Sequence, residues 1–207
     1  MITVEEYLQN PCGTLATAFW KQEHYIVPEG MTILHINDYN NNDYSEKEVR
    51  KFFRLIHTLD TVPDVSLPPG YEFRMIDPQS ETEAVAEIIN RSYVEYNISK
   101  SEVLRWTKFP VFDTKLWWFI CQNKKPIAMG IADFDIAIGE GSVEWVQVLP
   151  EKRQQGLGKA IVNKLLVELK KKAKFATVSG EVDNQSNPEG LYRKCGFVGN
   201  NVWVVIQ

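Results

Sequence analysis

The segment GSVEWVQVLPEKRQQGLGKAIVNKLLVEL, beginning at Gly141, constrains the fold more than any other. Its first part reads as a strand that runs into Pro150. Beyond Gly158 the period changes: Ile161, Leu165 and Leu169 share one helical stripe, flanked by Val162 and Leu166. Between the two lies RQQGLGKA, Arg153 to Ala160. A strand end, a glycine-bearing turn and a new helix present unpaired N–H groups and the positive end of a helix dipole, which together favour a phosphate. Two familiar phosphate loops fail on spacing. A P-loop needs Ser or Thr after GK and a glycine five positions before the second, where this chain has Ala160 and Arg153. A dinucleotide fingerprint needs a third glycine where Ile161 stands.

The rest of the second part alternates strand and helix patterns. YEFRMI is a strand, and Ser80 with Glu83 caps a helix whose Val85, Ile88 and Ile89 face one way. Ser99 and Glu102 repeat the capping signal, and that helix stops before Pro110. LWWFICQ and PIAMGIADFD are strands turned at Asn123; FATVSGEV, a short helix around Leu191 and NVWVVI close the chain. The proline-rich TVPDVSLPPG, Thr61 to Gly70, reads as a connector. Ahead of it, HYIV and MTILHI flank Pro28, Glu29 and Gly30 as a hairpin. SEKEVRKFFRLIHTL reads as a helix, with a Ser45–Glu48 capping box and Val49, Phe52, Phe53 and Ile56 on one face. This divides the chain into a small N-terminal appendage, 1–66, and a main domain, 67–207.

What remains around the loop is V-x-P-x-x-R-x-x-G-x-G-x-A, from Val148 to Ala160, which resembles the acyl-coenzyme A pyrophosphate loop of the GNAT N-acetyltransferase superfamily. NPEGLYRKCGF, Asn187 to Phe197, is similar to the last motif of the same superfamily, LY-x-x-x-GF, and stands in the expected order. The resemblance covers about residues 68–207. It implies an α/β (α+β) fold with a mixed, mostly antiparallel sheet flanked by helices. It also implies acetyl-CoA as cosubstrate, held by Arg153, Gln154, Gln155, Gly156, Leu157, Gly158, Lys159 and Ala160, mainly through backbone amides. Gly156 and Gly158 would lack β-carbons so that the backbone can approach the anion. The strand before the loop would splay from its neighbour, and the pantetheine arm would dock on the main chain of Val146, Gln147 and Val148. Where the superfamily has an asparagine seven residues before the tyrosine, this chain has Gln185, with Asn184 and Asn187 nearby; Asn187 is the favoured partner of the pantetheine arm or strand end.

The resemblance implies transfer of acetyl to a primary amine of a small molecule or peptide by direct attack. The alternative is an acyl-CoA sensor without turnover. One N–H of Val146 to Val148 would polarise the thioester carbonyl, and Tyr192 is the candidate acid for the departing thiolate. Two carboxylates compete as base. Glu144 shares a strand face with Val146 and Val148 by alternation, and Glu181 lies at the C-terminal end of the next strand. If Asp133, Asp135, Glu140 and Asp183 lie nearby, the mouth is acidic and favours a cationic amine. Phe109, Phe112, Trp117 and Trp118 either line an acceptor groove or, as the commoner use of such a cluster, fill the core. Cys195 reads as a small buried hydrophobe.

Composition closes off other classes. A net charge of −4 argues against nucleic acid as partner. No run approaches the roughly 20 apolar residues of a membrane span. Cys12, Cys121 and Cys195 form no CxxC pair, and all three histidines, His24, His35 and His57, precede the connector, so no metal site is expected. The acidic start MITVEEYLQN lacks the apolar core of a signal peptide, and with sparse cysteines a cytoplasmic setting is expected. The appendage is read as a lid over the acceptor side; a homodimer contact and a stabilising role are its alternatives.

Overall fold

The computed structural model describes residues 1–92 and 96–207. Three short helices, α1 (Val4–Gln9), α2 (Pro11–Thr14) and α3 (Lys21–His24), open the chain. Then come β1 (Thr32–His35), β2 (Val49–His57), β3 (Tyr71–Met75), α4 (Thr82–Ser92) and α5 (Lys100–Trp106). The run β4 (Trp117–Gln122), β5 (Lys125–Asp135), β6 (Glu140–Val148), α6 (Leu157–Lys170), β7 (Phe175–Glu181), α7 (Pro188–Lys194) and β8 (Val198–Ile206) completes it. The strands form one sheet in the order β1-β8-β2-β7-β6-β5-β4-β3. Every pairing is antiparallel except β6 with β7. The mixed, mostly antiparallel sheet expected from the resemblance is what the chain forms.

The helix α6 packs on β4, β5 and β6 through the stripe read from sequence: Ile161, Leu165 and Leu169 are fully buried. Two glycines make the close approach possible. A β-carbon at Gly130 would stand 2.6 Å from Ile161 Cγ1, and one at Gly141 2.5 Å from Leu169 Cδ2. The Ser99–Glu102 capping box of α5 is present, with the Ser99 side chain accepting from Glu102 N–H. At α4 the local organiser is Asp77 instead of the Ser80–Glu83 pair. Its carboxylate accepts from Gln79 N–H (3.0 Å) and Ser80 Oγ (2.6 Å), and the helix begins at Thr82.

The N-terminal expectations fail in an informative way. Residues 49–57 are the strand β2, not a helix, and it lies between β7 and β8. Glu48 does not cap a helix; its N–H and C=O already pair with Gln207 (3.1 and 3.0 Å) beside β8. Phe53, Leu55 and His57 are buried on one face of β2, and Arg54 is buried between them on the other. A strand buried on both faces suits Phe-Phe-Arg-Leu-Ile only because Arg54 finds a carboxylate. The HYIV–MTILHI hairpin is absent too. The Pro28–Met31 turn forms, but β1 pairs with β8, and Ile26 is 95% exposed.

Candidate active site

β6 and β7 run together only from Glu140↔Phe175 to Val143↔Val178. Beyond that, β7 continues on β2 through Ser179, Gly180 and Glu181, while Val146, Gln147 and Val148 pair only with β5. The splay is therefore present, with the free edge of β6 at the expected residues. Its cause lies partly in a β-bulge. Ile131 pairs with Trp145 and Ala132 with Val143, which leaves Glu144 as the extra residue. A bulge bends and twists its strand locally.

The bulge also corrects the placement of Glu144. Strict alternation would put it with Val146 and Val148, but Val148 packs toward Gly158 of α6, whereas Glu144 and Trp145 both line a cleft on the other side. This cleft, open to solvent, is walled by Trp20, Tyr25, Trp106, Phe109, Trp117 and Trp145. Trp106 of α5 and Trp145 stack at 5.5 Å. Of the four aromatics singled out from sequence, Phe109 and Trp117 line the cleft, and Phe112 and Trp118 pack against the core.

Two carboxylates, Asp133 and Glu144, meet in the cleft with Lys21. Lys21 Nζ is 2.5 Å from Glu144 Oε2, and Ser142 Oγ donates to Glu144 Oε1. Burial, helped by the Glu144 charge, pushes the Asp133 carboxyl well above the usual carboxylate range; Lys21 opposes this. Burial depresses the Lys21 ammonium, but Glu144 outweighs it and the group stays above its ordinary value. The other acidic residues lie elsewhere. Glu140 is buried, accepting from Tyr7 Oη (2.7 Å) and Thr177 Oγ1 (2.5 Å) and pairing with Arg54 at 3.2 Å. Asp135 is buried and caps Ala137 N–H. Glu181 is held by Arg50 in a two-pronged pair at 2.9 and 3.0 Å, which lowers its carboxyl below the usual range.

On the other side, a 3-10 turn at Pro150–Lys152 leads to Arg153 and α6. Gln154 (φ 63°) and Gly156 (φ 79°) are both left-handed, and Gly156 precedes α6 without a side-chain cap. Among the described residues no acceptor meets the backbone N–H groups of residues 154 to 159. These are the donors an anion needs. The two glycines differ in their surroundings. Gly156 serves the positive φ, with open space where a β-carbon would stand, whereas Gly158 faces Leu191 of α7, where a β-carbon would come to 3.2 Å of Cδ2. Arg153 reaches Val148 O (3.3 Å) and Ser92 O (3.1 Å), and Gln155 accepts from Tyr71 Oη (2.5 Å).

Asn187 caps α7, accepting from Gly190 N–H at 3.0 Å in a left-handed conformation. Tyr192 is buried on that helix, its ring 6.1 Å from Phe53 and 5.7 Å from Phe197. Cys195 is buried, and burial pushes its thiol up to about 11, which fits a packing role. Among the described residues no group of three His, Cys, Asp or Glu is placed to hold a metal. Sequence reasoning missed Lys21, Trp20 and Tyr25, because nothing local ties a helix near residue 21 to a strand near 144. It named Asp133 only as a neighbour.

A mixed sheet parted beside a glycine loop, with a cleft across the split strand, defines the GNAT-type fold. Residues 113–199 match the family described as acetyltransferase (GNAT) domain. Among solved structures it is similar to a GCN5-related N-acetyltransferase from Sphaerobacter thermophilus: TM-score 0.71, 16% identity, covering 90% of this chain and 62% of that one. It is also similar to the ribosomal-protein-S18-alanine N-acetyltransferase of Escherichia coli (TM-score 0.53, 19% identity, 66% of this chain and 91% of that). A third is Ard1 from Thermoplasma volcanium (TM-score 0.55, 16% identity, 67% and 97%). At these identities the likeness is one of fold. No curated protein sequence matches the chain.

Proposed function

We propose that the protein transfers an acetyl group from acetyl-CoA to a primary amine by direct attack. The observation that carries this is the unpaired β6 edge at Val146–Val148, set between the open amides of residues 154–159 and the aromatic cleft holding Asp133 and Glu144. The loop amides take the pyrophosphate, and the β6 edge takes the pantetheine arm as an added strand. A β6 N–H then faces the carbonyl oxygen as charge builds on it, a contribution of about 3 kcal/mol in comparable sites. The Asp133–Glu144 pair receives the amine's proton while one member is ionised, and Tyr192 protonates the departing sulfur. Glu181 drops out as base, because Arg50 occupies both its oxygens and lowers its basicity. Asn187 spends its side-chain oxygen on Gly190, leaving its amide N–H₂ for the pantetheine arm.

The cleft's six rings and two carboxylates favour an amine carried on an apolar body. Residues 20–25 form one wall, which supports a covering role for the N-terminal part. Three buried free thiols accord with a cytoplasmic setting. The test is thiol release from acetyl-CoA against a panel of amines. Tyr192→Phe should lower kcat by about 10²-fold with acetyl-CoA binding, followed by calorimetry, unchanged. Tight binding without thiol release for any amine would instead make the chain an acyl-CoA sensor.

A further inference from the structure

The cleft already contains a primary amine. Lys21 lies on α3 with its side chain 17% exposed, its Nζ 2.5 Å from Glu144 and 5.7 Å from the ring centres of both Trp20 and Tyr25. It lines two clefts at once: the aromatic one, and a second formed by Thr17, Ala18, Arg54, Ser142, Val143 and Ser179. Val143 is the last residue of β6 paired to β7, and Ser179 the first of β7 beyond that pairing, so Lys21 stands where the strands part. The lysine is held there by more than its own ion pair. Phe19 N–H donates to Glu140 Oε2 (3.0 Å), and Tyr7 Oη donates to the same carboxylate's other oxygen, pinning the segment to the sheet.

We propose that Lys21 is itself an acetyl acceptor, taking the group from acetyl-CoA bound to the same molecule. This rests on the acetyltransferase reading above. The ammonium gives one proton to Glu144, which passes it to solvent, and the neutral Nζ attacks the thioester carbonyl carbon. The C–N bond forms and the C–S bond breaks, with the electron pair leaving on sulfur. Sulfur takes a proton from Tyr192 and departs as the thiol; the second proton lost by Nζ replaces the one Tyr192 gave. The product is a neutral acetamide, so the Lys21–Glu144 ion pair is gone. The cleft is then one unit more negative, which favours a cationic acceptor.

The experiment uses the full chain with acetyl-CoA and no added amine, followed by peptide mass spectrometry over time. Lys171, 61% exposed, serves as the internal reference for uncatalysed acetylation, which favours accessible amines. An amine fixed at the reacting centre gains from its effective concentration. Lys21 should therefore be modified about tenfold faster than Lys171 or more, at a rate per molecule independent of protein concentration. Tyr192→Phe should slow Lys21 modification and leave Lys171 unchanged. Lys21→Arg should abolish acetylation at this position while keeping the positive charge beside Glu144. Modification of Lys21 no faster than of Lys171, or at a rate that rises with protein concentration, overturns the proposal. If amines still support thiol release in that case, the acetyltransferase reading stands; if none does, both fall.

Discussion

Asp133 and Glu144 carry opposite kinds of information about legibility. Glu144 was readable as a carboxylate near the split strand, but its face was not, because one extra residue in β6 breaks the alternation. Asp133 takes its importance from where it is buried and from the charge beside it. The raised carboxyl has a signed consequence. In the folded protein Asp133 keeps a proton that the unfolded chain has lost, so stability falls as pH rises through that window. Asp133→Asn removes this penalty. Thermal melts should show the variant gaining on the native protein from about pH 4, the ordinary carboxylate pKa, upward, with little difference below. Amine transfer by the variant should fall by about 10²-fold. Glu181 supplies the contrast. Glu181→Gln loses a half-exposed ion pair worth about 1 kcal/mol or less, and turnover measured by thiol release should stay within about twofold.

β2 shows why an element was misread. Val49, Phe52, Phe53 and Ile56 satisfy a helical period, and the strand alternation Phe53, Leu55, His57 is masked by Phe52 and Arg54 between them. Arg54 looks like a solvent residue until Glu140 and Tyr7, both distant in sequence, enclose it. The two readings differ in what a substitution costs. A helix with both phenylalanines inward would suffer equally from losing either. In the strand Phe53 is 1% exposed and faces Gly180, whose added β-carbon would lie 2.5 Å from the ring, whereas Phe52 is only half-buried. Denaturant unfolding should give about 3–5 kcal/mol lost for Phe53→Ala, and clearly less for Phe52→Ala. By contrast α6 was readable in full, since its stripe, its glycine start and its lysine-rich end lie within one stretch of chain.

At the scale of the molecule, β2 joins the β1–β8 pair to the rest of the sheet. The N-terminal 66 residues therefore supply two of eight strands, a wall of the cleft and the clamp on Glu140. Deleting residues 1–60 should expose the facing edges of β7 and β8 and unpair Arg54's partners. Loss of cooperative melting and aggregation are the expected outcome, checked by calorimetry and size exclusion; a soluble, coenzyme-binding remnant would contradict it. The sequence by itself determined the glycine loop, the tyrosine motif, α6 and the order of strands from β3 to β8, because each rests on periods and spacings within a few residues. Only the tertiary structure decided that β2 is a strand, that Asp133 faces Glu144, and that Lys21 reaches both. The first and last depend on hydrogen bonds, burial and charge between segments more than a hundred residues apart, and the second on a bulge between neighbouring strands that breaks the alternation.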